Sequence, residues 1–345
     1  MNSYERVMTT FKHQQPDRTP LAELDIEPSV YKALMPEAKT ESDFQAKYLD
    51  VVNANNFYRT KAIGKGLLTD EWGITYQITD ENSYYPVEPA FSIDDDFINY
   101  PFPDPNADHR FCLLVHNVSR YKGKKALMFT QRAFFLWAQA LIGFEELFIN
   151  IKMNPERIHI LFDKILEYNM AMAVQAVKRG ADIVCETDDY AYNSGPFFGL
   201  DIFEEFIFPR MKKFVDAVHN AGAYVVKHTD GYIMPILPGI VECGYDGLHS
   251  IDPLAGMDIG EVKKLYGDKL VLIGNIEPGN LLGMGSKEEV RRVVRETIDK
   301  ASKGGGYIVS SSNGIMSVAK PENYMIMLET VYDYGVYSSY DKSDT

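Results

Sequence analysis

Cysteine is scarce: Cys112, Cys185 and Cys243 are the only three in 345 residues, and no two stand in a Cys-x-x-Cys spacing. That excludes a disulfide framework and points to a reducing compartment. No block of lysine or arginine occurs and the formal charge is -14, which argues against nucleic acid or an anionic membrane as the main partner. No apolar run approaches the roughly 18 residues of a membrane span, and the start, Met1-Asn2-Ser3-Tyr4-Glu5-Arg6, lacks an apolar signal region. The chain is therefore expected to be soluble and cytoplasmic. A Gly-x-Gly-x-x-Gly after the first strand is also missing, which weakens a dinucleotide-binding fold. With 46% apolar residues, the chain can nevertheless bury a full core.

From residue 125 onward a regular alternation takes over. Leu127–Gln131 reads as a strand followed by an aromatic-rich helix, and Asn154-Pro155 opens a long helix with a side-chain cap and a proline in its first turn. Strands at 182–186, 224–228, 245–249, 269–275 and 307–311 then precede helices at 201–220, 232–242, 258–266, 286–302 and 321–334. Before this stretch, the turn Pro16–Pro20 delivers a strand, Leu21–Asp25. A helical segment covers about 29–48, and the apolar run Tyr48–Val52 ends in Asn53 and Asn55. About eight such units predict an α/β protein, one (β/α)8 TIM barrel over residues 1–345. Residues 66–105 break the rhythm with an antiparallel hairpin and an acidic, Pro- and Tyr-rich excursion, expected as a small insertion.

In such a barrel, chemistry sits at the carboxyl ends of the strands. The strand ends supply Glu23 and Asp25, Asn53 and Asn55, Gln131, Glu186 and Asp188, His228 and Asp230, His249, Asn275 and Glu277, and Ser311 and Asn313. Most have an ordinary alternative as solvated or helix-capping groups. His228 and Asp230 stand apart, because strand alternation puts two potential ligands on one face, just before Gly231. Phe197 and Phe198, with Tyr84, Tyr85 and Phe91, are candidate apolar walls. Cys185 and Cys243 read as small buried residues.

Pro16-Asp17-Arg18-Thr19-Pro20, Val226-Lys227-His228-Thr229-Asp230-Gly231, Gly244-Tyr245-Asp246-Gly247-Leu248-His249 and Gly274-Asn275-Ile276-Glu277 together resemble the uroporphyrinogen decarboxylase superfamily. The resemblance implies a single barrel and one of two chemistries, cofactor-free decarboxylation or zinc-assisted methyl transfer involving a corrinoid carried by another protein. Decarboxylases of the family place an arginine pair shortly after the first strand, whereas residues 19–58 here contain none; Asp50 is a weak match to a decarboxylase aspartate. Thiol methyltransferases of the family bind zinc through His-x-Cys and a later Cys. Here Asp230 stands at the first cysteine, and serines occupy 310–312.

What the resemblance implies is a corrinoid-dependent methyltransferase shifted from thiols toward methyl ethers, aromatic ones included, as its small-molecule methyl donor. Zinc would be held by His228, Asp230 and either Glu186 or Glu277. His228, His249, Gln131 and Asn275 would act on or orient the substrate, with Glu23, Asn53, Phe198 and Asn313 lining its site. No Asp-x-His-x-x-Gly sequence is present, so the cobalamin is expected on a partner protein. A uroporphyrinogen decarboxylase and a metal-free small-molecule binder are the alternatives, and a homodimer stays open.

Overall fold

The structure is a computed structural model that describes residues 1–78 and 84–337. Its centre is a parallel sheet of seven strands whose spatial order is their chain order. They are β1 (Val51–Asn55), β2 (Ala126–Gln131), β3 (Ile183–Glu186), β4 (Tyr224–Thr229), β5 (Gly247–Ser250), β6 (Val271–Ile276) and β7 (Tyr307–Ser311). Helices between successive strands return the chain across the outer face, as parallel pairing requires. No helix among the described residues is long and apolar enough to cross a membrane.

The expected first strand, Leu21–Asp25, is not a regular ladder. It is held by isolated parallel bridges, Leu21 to Val309 and Ile26 to Ile315. On its other side the Asp50 amide donates to the Leu21 carbonyl at 2.8 Å. Both edge strands, β1 and β7, are thus joined through this segment. Tyr48 closes the helix Glu41–Tyr48 rather than opening β1, and the expected helix at 29–48 is split into Pro28–Leu34 and Glu41–Tyr48. Pro36 lies between the two, and proline disfavours helix both at itself and before it. Asn154 makes no side-chain cap; Pro155 alone marks that helix start.

Strand alternation divides the sheet residues into two layers. Ala22, Leu24, Val51, Met128, Ile183, Cys185, Val226, Ile273 and Ile308 form one inner cluster, closed at the amino end by Val7 and Phe11. Phe11 stacks on Tyr224 at 4.7 Å. The intervening residues, among them Phe129, Val184, Val225, Leu248, Leu272 and Val309, pack with the helices in the larger core. Burying each such aliphatic side chain contributes about 1.5–3 kcal/mol.

The region at 66–105 begins earlier than expected. Thr60–Gly64, Leu67–Asp70, Thr75–Ile78 and Tyr84–Glu88 form a four-stranded antiparallel sheet, with the expected hairpin at its middle. Residues 79–83 lie outside the described residues.

Candidate active site and metal centre

The inner row of β4 runs Val226, His228, Asp230. Apolar residues below and polar residues above follow from one alternation, since each successive step of two climbs the same face. His228 pairs in register with His249 of β5. The two imidazoles meet, Nδ1 to Nδ1, at 2.7 Å. The other nitrogen, Nε2 of His228, is 3.8 Å from Asp189 Oδ1 and 3.9 Å from Asp230 Oδ1. One ligand atom from each of Asp189, His228 and Asp230 lies within 4.8 Å of the others. The Asp230 amide donates to Asp189 Oδ1 at 3.0 Å, and Asn313 Nδ2 donates to Asp230 Oδ2 at 2.7 Å. Burial holds the Asp230 carboxyl above its ordinary range, with His228 opposing the shift. One imidazole and two carboxylates form a hard N/O donor set that suits a divalent cation, zinc included.

Behind His228 a line of groups runs into the core. His249 Nε2 is 3.3 Å from Ser310 Oγ, which donates to Glu23 Oε2 at 3.2 Å. With that donation fixed, His249 Nε2–H donates to Ser310, His249 Nδ1 accepts from His228 Nδ1–H, and His228 Nε2 keeps its lone pair for the carboxylate side. Burial lowers the basicity of His249, and any charge on His228 would lower it further, which keeps His249 neutral, as this arrangement needs. Glu23 is 1% exposed, and burial pushes its carboxyl up to about 8 despite bonds from Ser310 and Ser311. Ser311 Oγ lies 2.6 Å from Glu23 Oε2 and 2.9 Å from the Asn313 carbonyl oxygen. Its single hydrogen can serve the carbonyl when Glu23 carries the proton.

Several expected site residues are committed elsewhere. Glu186 is fully buried, accepts from Lys227 Nζ at 2.7 Å, Tyr245 Oη at 2.8 Å and the Asp188 amide at 2.8 Å, and is pushed up to about 7 by burial against the pull of Lys227. Glu277 accepts from the Gly279 and Leu281 amides, both at 2.7 Å. Neither glutamate expected as third ligand reaches the His228 group; Asp189 stands there instead. Asp188 caps a helix, accepting from the Phe134 and Phe135 amides at 2.8 Å. Gln131 donates to the Asn169 carbonyl at 2.9 Å. It therefore engages the helix Pro155–Lys178.

Asn275 lies on the inner row of β6 and donates to the Ile251 carbonyl at 3.0 Å. Asn53 donates to the Leu24 carbonyl at 2.6 Å and accepts from Thr130 at 2.8 Å, while Asn55 donates to Asp25 at 2.5 Å. Phe198 is half-buried in an aromatic cluster, 4.5 Å from Phe148. Tyr84 and Tyr85 are exposed, whereas Phe91 is buried against Tyr100. Asp50 lies at the amino end of β1, gripped by Arg6 at 2.7 Å and Arg18 at 2.9 Å, away from the carboxyl rim.

Asp189 and Ser310 escaped sequence reasoning, yet a signal for both exists. The inner row of β3 is Ile183 and Cys185, so continued alternation leads to Asp189 and not to Asp188. On β7 the same rule leads from Ile308 to Ser310 rather than Ser311.

Residues 70–334 match the family model described as uroporphyrinogen decarboxylase (URO-D). A uroporphyrinogen decarboxylase of Pseudomonas fluorescens is 26% identical over 190 residues, 52% of this chain and 49% of that protein. The methylcobamide:CoM methyltransferase MtaA of Methanosarcina barkeri is 28% identical over 178 residues, covering 50% and 49%. For the methylcobamide:CoM methyltransferase MtbA of Methanosarcina acetivorans the identity is 28% over 200 residues, covering 58% and 56%. The chain spans about half the length of these curated relatives. In fold it is similar to a methyltransferase from Methanosarcina mazei, with a TM-score of 0.76 at 18% identity over 97% of this chain and 99% of that one.

Proposed function

This chain belongs to the uroporphyrinogen decarboxylase family, and we propose that it is the methyltransferase component of a corrinoid-dependent O-demethylation. The seven-stranded sheet, with residues 20–26 bridging its two edges, is read as a (β/α)8 barrel whose carboxyl rim carries the site. In the proposed reaction the carbon–oxygen bond of a methyl ether breaks, the methyl group passes to the Co(I) corrinoid of a partner protein, and the freed oxygen takes a proton from water at the rim. The observation that carries this reading is the Asp189–His228–Asp230 group, which offers nitrogen and oxygen but no thiolate. Such a donor set favours an oxygen-bearing substrate over a thiol.

Zinc held by His228, Asp189 and Asp230 would supply Lewis acidity to the ether oxygen, offsetting the poor leaving ability of an alkoxide or phenolate. The chain's own groups do the rest. His249 and Ser310 hold the His228 ring and its tautomer, and Asn313 holds Asp230. The apolar rows below the rim exclude water from beneath the site.

Decarboxylation of a polycarboxylate would need cations at the rim, because buried carboxylates require partners. Arg6 and Arg18 are instead spent on Asp50 at the amino end, and Arg132, which follows β2, is one cation against several carboxylates.

The test mixes the zinc-loaded protein with a reduced corrinoid protein and a panel of methoxylated compounds, following loss of Co(I) absorbance. Methyl transfer from at least one ether, abolished in His228→Ala, is the expected result. No metal uptake by the purified protein would overturn the zinc assignment, and no transfer from any ether would overturn the reaction.

A further inference from the structure

Between the segment 20–26 and β7 the backbone ladder has a gap. The Ala22 amide donates to the Val309 carbonyl at 3.0 Å, and the Ile315 amide to the Asp25 carbonyl at 2.8 Å. Between those two bonds the Ser311 amide turns instead to the Glu23 side chain, 3.1 Å from Oε1 and 3.2 Å from Oε2. One carboxyl therefore stands where ladder bonds would.

Two hydrogen-bonded arms leave this carboxyl and end on different members of the Asp189–His228–Asp230 group. The first runs through Ser310 and His249 to Nδ1 of His228, in steps of 3.2, 3.3 and 2.7 Å. The second runs to Ser311 Oγ at 2.6 Å and on to the Asn313 carbonyl at 2.9 Å, while the Asn313 side chain donates to Asp230 Oδ2 at 2.7 Å. Glu23, His249, Ser310 and Ser311 are all buried, a setting in which each hydrogen bond counts for more than it would in water.

The arms use the carboxyl in opposite senses. Ser311 Oγ has one hydrogen for two oxygen neighbours, so one of those contacts needs a hydrogen from Glu23. Ser310 Oγ must give its own hydrogen to Glu23 if His249 is to donate to Ser310. A carboxyl that donates to one serine and accepts from the other satisfies both.

We propose that Glu23 is a shared positioning residue for His228 and Asp230. Its donor side holds the Asn313 turn against Asp230, and its acceptor side fixes the tautomer that leaves Nε2 of His228 open. This rests on the metal reading above for what the two ligands hold, but not for how they are held.

Glutamine at this position separates the arms. Its oxygen keeps the bond from the Ser311 amide and its NH2 group still donates to Ser311 Oγ, but that group has no lone pair for Ser310. The Ser310 hydroxyl is then free to donate to His249. That moves the His249 hydrogen to Nδ1 and the His228 hydrogen to Nε2, the nitrogen facing the aspartates. The Ser311 carbonyl also accepts from the His249 ring and opposes complete reversal, so a mixture of tautomers is expected.

The experiment isotope-labels the seven histidines and reads the ring-nitrogen shifts of His228 in metal-free wild type and Glu23→Gln, with His228→Ala assigning the signals. Zinc affinity is measured alongside by chelator competition, on variants with native circular dichroism. Wild type should show the Nδ1–H form, and Glu23→Gln a mixture with the Nε2–H form. Zinc affinity should fall about tenfold to a hundredfold in Glu23→Gln, Ser310→Ala and Ser311→Ala. Glu23→Gln and Ser310→Ala break the same arm, so their double variant should be no weaker than either. Ser311→Ala breaks the other arm, so its loss should multiply with that of Glu23→Gln. Glu23→Leu, which neither donates nor accepts, should lose both factors and be unaffected by adding Ser311→Ala.

An unmixed Nδ1–H signal in Glu23→Gln overturns the proposal. So does a loss in Glu23→Gln that multiplies with that of Ser310→Ala, the mark of a general loosening of the fold. A further loss when Ser311→Ala is added to Glu23→Leu overturns the shared role. Absence of zinc binding in wild type would remove the metal reading, whereas the tautomer change would still uphold the positioning of His228.

Discussion

Nδ1 of His228 lies 2.7 Å from Nδ1 of His249, so one ring must donate and the other accept. Because His249 is tied through Ser310 to Glu23, the donor is His228, and its free Nε2 is directed to the two aspartates. This makes His249 an orienting partner rather than a ligand. Such groups typically contribute 10- to 100-fold to metal affinity. Zinc affinity, measured by chelator competition, should fall by about that factor in His249→Phe and Ser310→Ala, and be lost in His228→Ala. Unchanged affinity in both orienting variants would remove this account of the tautomer.

Glu23 makes stability depend on pH. Its carboxyl is raised from an ordinary 4.5 to about 8 by burial, so the folded state binds the proton more tightly than the unfolded chain. The resulting stabilisation is complete below pH 4.5, declines as pH rises and is gone above about 8. Glu23→Gln keeps the shape of the protonated acid without the titration. Urea midpoints across this window should therefore fall more steeply for wild type than for the variant. Parallel curves would show that Glu23 is ionised throughout.

Lys227 and Glu186 form a pair with both side chains withdrawn from water. Removing one partner strands the other charge, and such losses cost about 3–5 kcal/mol. Lys227→Met should destabilise by that order in denaturant melts, whereas Lys227→Met combined with Glu186→Leu should recover much of it. Zinc affinity of the folded double variant should equal wild type, because Glu186 is not in the His228 group. A large loss of metal in that variant would restore Glu186 as a ligand.

Gly231 ends the motif at φ +88°, and a Cβ there would meet the Ala191 carbonyl oxygen at 2.7 Å. The chain must pass this close because the Tyr232 amide donates to the Tyr192 carbonyl at 2.9 Å. Gly231→Ala should cost at least about 1–3 kcal/mol from the backbone conformation alone, with the clash in addition. Thermal melting would show it, and a melt unchanged from wild type would mean that the 191–192 segment yields freely.

Glu277 caps a turn through two backbone amides. Glu277→Ala should destabilise the fold by about 1 kcal/mol, as for other lost caps, seen as a lower melting temperature, and leave zinc binding as it was. Loss of metal with no change in melting would reverse that assignment.

The alternation of apolar strands and amphipathic helices from residue 125 onward was legible in the chain, because burial on both faces of a parallel strand writes a continuous apolar run. The polar strand ends were legible for the same reason. His228 and Asp230 were singled out as neighbours on one face because a period of two needs no partner strand to predict it, and in the structure His228 Nε2 lies 3.9 Å from Asp230 Oδ1.

What the chain by itself determined is therefore that polar groups gather at the strand ends and that His228 and Asp230 share a face; Asp189 was not among those groups. Tertiary structure alone decided which of the others join them. Glu186 and Asp189 are three residues apart on one segment and so face opposite ways. The first meets Lys227 in the layer beneath the helices, and the second meets His228 at the mouth. That choice depends on which face of β3 turns inward, a property of sheet closure and helix packing; alternation leads from Ile183 and Cys185 to Asp189 only once that face is known.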